Sequence, residues 1–221
     1  MLPFTIGTVA KNDNEEMFAE SVKSMSTLNG RICVFTGSRH GARVNYADAA
    51  KLLGRELVAR GYGLVYGGGN VGLMTAIADA VLELKGHVTG VIPNSLVSKE
   101  VAHFGLSELR VVDSMHERKA LMAELSDGFI AMPGGIGTME EFFEVLSWAQ
   151  LGIHEKPCAL LNIAGYYDPL IQFLDHAVSE DFIKSKHRAL LVVASEPATL
   201  LDRFETIMAG HPAKRFDRAV T

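Results

Sequence analysis

The sequence has no excess of basic residues and no long hydrophobic segment. Lysine and arginine total 21 against 26 acidic residues in a chain of 221, which gives a formal net charge of −5. Surfaces that bind nucleic acid polymers usually carry net positive charge, so we expect no such partner. No apolar run approaches the roughly 20 residues that span a bilayer, and the N-terminus lacks the pattern of a signal peptide. We therefore predict a cytoplasmic protein that binds no membrane.

Cysteine is also scarce, because Cys33 and Cys158 are the only two in the sequence. Each lies in an apolar run typical of a β-strand, and their spacing resembles no metal site. We predict that both are buried, reduced thiols and that the protein has no metal site.

From residue 31 onward, apolar runs alternate with amphipathic stretches. Strands are predicted at residues 31–36, 63–66, 87–92, 109–112, 127–132, 157–161 and 190–193, and helices at residues 46–60, 71–84, 115–125, 138–151, 167–178 and 197–208. The alternation indicates right-handed βαβ crossovers and therefore an α/β fold. We predict a single Rossmann-like domain at residues 31–210, with a mostly parallel sheet and helices on both faces. Residues 1–30 are assigned to an N-terminal extension with a short helix ending near Met25, and residues 211–221 to a C-terminal tail.

The first long glycine-rich turn reads Gly-Gly-Gly-Asn-Val-Gly over residues 67–72, between a predicted strand and a predicted helix. Its spacing fits the dinucleotide-binding fingerprint. That fingerprint also needs an acidic residue about twenty positions later, at the end of the next strand. Here that strand ends in Val-Ile-Pro-Asn at residues 91–94, without a carboxylate. We therefore favour a tight turn, or a loop that approaches a smaller ligand, over a dinucleotide site.

The second such turn reads Pro-Gly-Gly-Ile-Gly over residues 133–137 and leads into a predicted helix. Glycines let the backbone approach an anion, and the free N–H groups and dipole of a helix start attract negative charge. The turn lacks the lysine of a P-loop, so we do not expect triphosphate hydrolysis. The alternative is a plain turn in which Thr138 caps the helix and Glu141 completes a Thr-x-x-Glu capping box. The spacing alone does not decide between these two interpretations.

A charged segment, His-Glu-Arg-Lys at residues 116–119, follows the short strand predicted at residues 109–112. Arg118 and Lys119 are adjacent, so their side chains point about 100° apart on a helix. At most one of them faces a given ligand atom squarely. The alternative is a solvated charged turn that binds nothing.

The predicted helix at residues 138–151 carries more apolar residues than one sheet-facing stripe needs. These residues are Met139, Phe142, Phe143, Leu146, Trp148, Ala149 and Leu151. A second apolar face on a surface helix is typical of a partner interface, although the same chain could also cover both sides. His154, just beyond this helix, is interpreted as a capping or surface histidine and not as a catalytic base.

Together these motifs resemble the Lonely Guy family of phosphoribohydrolases, whose bacterial relatives were often labelled lysine decarboxylase-like. The resemblance covers about residues 31–210. It is carried by residues 33–38, 64–69, 71–74, 115–120, 133–141, 148–154, 156–157, 161–162 and 165–167. The joint pattern of Arg-Lys followed by Pro-Gly-Gly-x-Gly-Thr-x-x-Glu is specific to this family and its near relatives.

The resemblance implies a site for a nucleoside monophosphate in which Arg118 and Glu141 are the catalytic pair. It also implies a set of nucleotide-binding positions: Glu100, Lys119, Gly135, Ile136, Gly137, Thr138, Met139, Glu140 and Ser147. Ser147 stands where plant members commonly have threonine, and it keeps the hydroxyl group. The turns at the carboxyl ends of the first two strands, where ligands bind in such sheets, add Gly37, Ser38, Gly67 and Gly68.

The activity that the resemblance implies is hydrolysis of an N6-substituted adenosine 5′-monophosphate to the free base and ribose 5-phosphate. No cofactor is expected, and the resemblance implies a homodimer with each active site close to the neighbouring subunit. The alternative is a nucleotide- or pterin-cofactor-binding protein that uses the same loops without turnover. Lysine decarboxylation would need a Schiff-base lysine for pyridoxal phosphate, and no lysine stands in such a setting. Whether Arg118 pairs with the phosphate or with Glu141 is left open by the sequence.

Overall fold

A computed structural model describes residues 28–97 and 102–210 of the chain. In these residues seven strands form one sheet: β1 (Gly30–Phe35), β2 (Tyr62–Tyr66), β3 (Val88–Pro93), β4 (Glu108–Val112), β5 (Gly128–Ala131), β6 (Cys158–Leu161) and β7 (Leu191–Ala194). Their order across the sheet is β4-β3-β2-β1-β5-β6-β7. All neighbouring strands are parallel. The predicted α/β fold is confirmed, and the sheet is entirely rather than mostly parallel.

The helices of the described residues are α1 (Val44–Ala59), α2 (Gly72–Glu83), α3 (Asn94–Val97), α4 (Met115–Glu124), α5 (Ile136–Leu151), α6 (Asp168–Ser179), α7 (Ser185–Arg188) and α8 (Pro197–Gly210), with one 3₁₀ helix (Ile163–Gly165). Every predicted strand and helix from residue 31 onward is present, with ends shifted by at most two residues. Helices α3 and α7 and the 3₁₀ helix were not predicted, because three or four residues are too few to show a helical period. The helix predicted to end near Met25 and the tail at residues 211–221 lie outside the described residues.

The two faces of the sheet have separate hydrophobic cores because side chains alternate along each strand. On β1, Ile32 and Val34 pack with residues of α1, α2 and α8, whereas Cys33 and Phe35 pack with residues of α4, α5 and α6. Both cysteines are buried and free, as predicted. Burial raises the pKa of the Cys158 thiol to about 12.

The strand order creates a crevice at the carboxyl edge of the sheet. The chain runs outward from β1 through β2 and β3 to β4, and then crosses back to place β5 on the other side of β1. Ligands of open α/β sheets bind where the order reverses in this way. Here the two turns that follow β1 and β5 meet, since the N–H of Gly37 donates to the carbonyl of Pro133 at 3.1 Å.

Among the described helices, none combines the length and the apolar character needed to cross a bilayer. The cytoplasmic location remains a prediction.

Candidate active site

Arg118 is a buried cation at the carboxyl edge of β2 and β3. Its guanidinium donates from Nε to the carbonyl of Val91 at 3.0 Å and from Nη2 to the carbonyl of Gly67 at 3.2 Å. A Cβ atom at Gly67 would collide with Nη2 of Arg118, so a side chain there would displace the guanidinium. Only 6% of Arg118 and 9% of Lys119 are exposed. The alternative of a solvated charged turn is therefore wrong for both residues, although His116 and Glu117 are exposed.

The capping of α4 fixes the position of Arg118 along the chain. The hydroxyl of Ser114, the N-cap residue, accepts a hydrogen bond from the N–H of Glu117 at 3.1 Å. The Glu117 carboxylate accepts in turn from the N–H of Asp113 at 3.0 Å. Side-chain caps of this kind satisfy N–H groups that a helix start leaves unpaired. The helix therefore begins at Met115, and Arg118 lies in its first turn facing the sheet.

Glu141 faces Arg118 from the second turn of α5. The two side chains form an ion pair with 3.5 Å between Arg118 Nη1 and Glu141 Oε1, and only 8% and 13% of the side chains are exposed. Burial, followed by the negative charge of Glu141, raises the pKa of the Cys33 thiol well above its usual value. The carboxylate therefore lies near β1 as well as near Arg118. In this structure Arg118 pairs with Glu141, and its pairing with a phosphate stays a prediction.

Helix α5 begins earlier than predicted. Its N-cap is Gly135 in an extended conformation, so Ile136 and Gly137 form the first turn and Thr138 is the third helical residue. The capping-box interpretation of Thr138 and Glu141 is therefore wrong. Thr138 is buried, and a Cβ atom on Gly134 would collide with its hydroxyl group. The exposed start of α5 thus presents backbone N–H groups beside the crevice, with Ile136 89% exposed.

Lys119 turns away from Arg118, as expected for adjacent helical residues. Its ammonium contacts the carboxylate of Glu140 and lies 2.9 Å from Glu144 Oε1. Burial alone would lower the pKa of Lys119, but the hydrogen bonds that its ammonium donates to both carboxylates outweigh burial and raise that pKa. Two residues that the resemblance assigns to the nucleotide, Lys119 and Glu140, are thus bonded to each other here.

A pocket of about 280 Å³ occupies the crevice between β1 and β5. Its lining combines predicted residues with residues that the sequence analysis did not select: Gly37, Ser38, Arg39, His40, Gly41, Tyr46, Leu73, Pro133, Gly134, Gly135 and Tyr166. The Tyr166 hydroxyl donates to the carbonyl of Gly134, and the Tyr166 ring meets Tyr46 edge-on with 5.8 Å between centroids. Arg39 and His40 could have been found because they directly follow Gly37-Ser38. Tyr46 and Tyr166 could not, because tertiary structure brings them there.

The remaining predicted residues have varied positions. Gly68 is buried against β3 with a φ of +76°, which makes it part of a tight turn. Gly72 has a φ of +58°, and a side chain there would collide with the backbone of Ser38 and Arg39. The surroundings of Gly67, Gly68 and Gly72 therefore explain these three glycines without a bound dinucleotide. Met139 is half-buried on α5, and Glu100 lies outside the described residues.

Ser147 does not line the pocket at the crevice. It is exposed on α5 and borders a second cavity of about 170 Å³, whose walls also include Phe143, Leu146 and Arg188. Six residues separate it from Glu141, so the two side chains point about 120° apart on the helix. The structure therefore does not bring Ser147 together with Arg118 and Glu141 within one chain.

His154 is not a surface residue. Only 1% of it is exposed, its Nε2 donates to the carbonyl of Val145 at 3.0 Å, and its Nδ1 accepts from the N–H of Lys156 at 3.1 Å. Burial lowers the pKa of His154 to about 4, with a further contribution from the charge of Lys156. The imidazole is therefore neutral near pH 7 and holds the segment after α5 against the core.

Comparison with known sequences relates this site to characterised proteins. Residues 74–204 match the protein family described as "Possible lysine decarboxylase". The chain is 52% identical over 175 residues to the cytokinin riboside 5′-monophosphate phosphoribohydrolase LOG of Oryza sativa subsp. japonica. This match covers 79% of this chain and 72% of that protein. It is 50% identical over 181 residues to a relative of the same enzyme name from Arabidopsis thaliana, covering 82% of this chain and 85% of the relative.

Solved structures share the fold at lower identity. The molybdenum cofactor binding protein of the phototrophic bacterium Rippkaea orientalis has a TM-score of 0.62 and 25% identity, covering 83% of this chain and 99% of that chain. The molybdenum cofactor carrier protein of Chlamydomonas reinhardtii has a TM-score of 0.63 and 23% identity, and the match covers 81% of this chain and 98% of that chain. Because the identity to the phosphoribohydrolases is about twice as high and extends over most of both chains, this chain belongs to the Lonely Guy family of cytokinin riboside 5′-monophosphate phosphoribohydrolases.

Proposed function

We propose that the protein hydrolyses the N-glycosidic bond of adenosine 5′-monophosphate and its N6-substituted forms, and releases the free base and ribose 5-phosphate. The observation that carries this proposal is the buried ion pair of Arg118 and Glu141 at the carboxyl edge of the sheet. The pair lies on α4 and α5, beside the glycine-rich turn that opens α5. Relatives that are about 50% identical are named as phosphoribohydrolases, and this supports the same activity here.

The chemistry fits a carboxylate held in this way. As the bond from C1′ of the ribose to the base nitrogen breaks, positive charge develops on the sugar, as in other glycoside hydrolyses. The Glu141 carboxylate can stabilise that charge and orient the water whose oxygen bonds to C1′. One proton of the water goes to the departing base, and the hydroxyl group remains on ribose 5-phosphate. Arg118, fixed by two backbone carbonyls, holds the carboxylate in one orientation.

The 5′-phosphate is assigned to the exposed start of α5. Gly135, Ile136 and Gly137 present backbone N–H groups there, and no side chain of the described residues caps this end of the helix. The helix dipole adds attraction for a negative group. Anchoring the phosphate fixes the sugar relative to Glu141, so binding energy from a remote group is used at the reacting bond.

We expect adenosine 5′-monophosphate to be hydrolysed at least about a hundredfold more efficiently than adenosine. Each charge-assisted hydrogen bond to the phosphate contributes roughly 1.5–3 kcal/mol, and two of them account for this difference. The measurement is kcat/KM for both substrates, from chromatography of the free base and of ribose 5-phosphate. Equal values for nucleoside and monophosphate would contradict the phosphate anchor.

The alternative function is nucleotide or pterin-cofactor binding without turnover. This chain shares its fold with the Rippkaea orientalis protein, which is named for molybdenum cofactor binding. That likeness is a reason to test binding without turnover. The same product assay discriminates, because a binding protein would retain adenosine 5′-monophosphate without releasing base. Lysine decarboxylation has little support by comparison, since the ammonium of Lys119 is already held by Glu140 and Glu144.

We also propose that the protein is a homodimer that associates through α5. Of the apolar residues on this helix, only Phe142 and Val145 are buried in the described structure, and Leu151 is 72% exposed. Met139, Phe143, Leu146, Trp148 and Ala149 are only partly buried beside the core, so their own chain covers this second apolar face incompletely, which supports an interface there. The position of Ser147 on that flank is also consistent with a contribution to the site of a neighbouring subunit.

The dimer should show a mass near twice the 24.0 kDa of the chain in light scattering at micromolar concentration. Leu146→Glu should shift the mass to that of the monomer and reduce activity, because it places a charge in the proposed interface. Leu52→Glu is the matched control, since Leu52 is 41% exposed on α1, which packs on the opposite face of the sheet. A fully active monomer of the natural protein would refute both the assembly and the shared site.

A further inference from the structure

The two buried cations of the predicted site, Arg118 and Lys119, form ion pairs with carboxylates of the protein. Arg118 is bound to Glu141 and to the carbonyls of Gly67 and Val91. Lys119 is bound to Glu140 and Glu144. A 5′-phosphate carries between one and two negative charges near neutral pH, as a phosphate monoester with a second pKa near 6 does. A bound phosphate would therefore have to compete with these carboxylates for Arg118 or Lys119.

The pocket at the crevice supplies two basic side chains that have no ionic or hydrogen-bonding partner among the described residues. Arg39 and His40 both line it, next to Gly134 and Gly135 at the start of α5. Within residues 28–97 and 102–210, neither side chain takes part in an ion pair or a hydrogen bond. Histidine is cationic only when protonated, whereas arginine is charged at all ordinary pH values. Arg39 therefore provides the permanent positive charge of this pocket.

The backbone that carries Arg39 is firmly held. The carbonyl of Gly37 accepts from the N–H of Leu73 at 3.1 Å, and the N–H of Gly37 donates to the carbonyl of Pro133 at 3.1 Å. The backbone of Ser38 and Arg39 packs so closely on Gly72 that no side chain fits between them. These contacts fix the base of the Arg39 side chain at the rim of the pocket, and its guanidinium is free to reorient towards an anion.

We propose that Arg39, with His40 beside it, binds the 5′-phosphate of the nucleotide and sets the preference for a nucleoside monophosphate over the nucleoside. This proposal rests on the proposed hydrolysis of adenosine 5′-monophosphate and deepens it. A guanidinium matches the geometry of phosphate oxygens through two parallel hydrogen bonds. Arg39 would thus complement the backbone N–H groups at the start of α5, while Arg118 remains free to orient Glu141.

The first test compares Arg39→Gln with the natural protein on two substrates. The variant should lower kcat/KM for adenosine 5′-monophosphate roughly ten- to a hundredfold, as expected for one charge-assisted contact, and leave kcat/KM for adenosine unchanged. Arg39→Lys should keep part of the preference because the charge remains. Arg55→Gln is the control for net charge, since Arg55 is exposed on α1 and does not line the pocket. Equal losses on both substrates, or no loss on either, would overturn the proposal.

The second test does not depend on turnover. Ribose 5-phosphate, inorganic phosphate and unphosphorylated ribose are titrated into the full chain by calorimetry. Ribose 5-phosphate should bind about tenfold or more weakly to Arg39→Gln than to the natural protein or to Arg55→Gln, and ribose should show no such difference. An unchanged affinity for ribose 5-phosphate would overturn the role of Arg39 even if hydrolysis is confirmed. Absence of hydrolysis together with weaker binding to Arg39→Gln would overturn the proposed function and leave the phosphate site standing.

Discussion

Glu141→Gln should lower kcat at least about a hundredfold, which is the scale observed when a positioned catalytic group is removed. Glutamine keeps the size of the side chain and can still accept a hydrogen bond from Arg118. It lacks the negative charge that would stabilise the sugar cation as the glycosidic bond breaks. Binding of ribose 5-phosphate should be retained, because the start of α5 and Arg39 are unchanged.

This expectation separates catalysis from helix capping. Glu141 lies in the second turn of α5 and does not cap its start, so a loss of kcat would not be an effect of capping. The substitution leaves the buried guanidinium of Arg118 without its anion, so the melting temperature should fall, but less than for Arg118→Ala because glutamine can still accept a hydrogen bond. Glu83→Gln, at the exposed end of α2, makes the same change of charge far from the pair and serves as the control. Single-turnover product assays and thermal melts of both variants provide the comparison. A kcat for Glu141→Gln within a few-fold of that of the natural protein would leave Glu141 without a catalytic role.

The fold could be predicted from the sequence because local patterns agree with it along the chain. The seven strands are short apolar runs closed by glycine or proline turns, and the helices between them show clear apolar periodicity. The start of α5 was misplaced because glycine and isoleucine in the segment Gly-Ile-Gly are poor helix formers by local preference. Tertiary contacts determine where α5 begins, since Thr138 packs directly against Gly134 and lies inside the helix.

The surroundings of the charged residues could not be predicted, because their partners are distant in sequence. The carbonyls that hold Arg118 belong to residues 51 and 27 positions away, and the sheet alone brings them together. The same holds for Tyr166, which reaches Gly134 from 32 positions away. Side-chain identity thus predicts candidates for the chemistry, whereas their ionic partners and the pocket walls depend on the order of the strands.

Arg118→Ala should impair both activity and stability, and should lower stability more than Glu141→Gln does. It leaves the carbonyls of Gly67 and Val91 without their donor and the Glu141 carboxylate without its cation. Breaking a buried pair of this kind costs about 3–5 kcal/mol. A chain of this size loses about 2–4 °C in melting temperature for each kcal/mol, so we expect a decrease of roughly 6–20 °C. The kcat should also decrease, because Glu141 is no longer held in one orientation.

The shape of the guanidinium, and not only its charge, should matter. A lysine ammonium is a compact charge without a planar fork, so Arg118→Lys should recover little of the activity. Added guanidinium ion, at concentrations too low to denature the protein, should restore part of the kcat of Arg118→Ala by occupying the space left beside Glu141.

In the double variant with Glu141→Gln, the two losses of kcat should not add, since both act on the same carboxylate. Fully additive losses, or a melting temperature of Arg118→Ala equal to that of the natural protein, would show that the pair does not act as a unit.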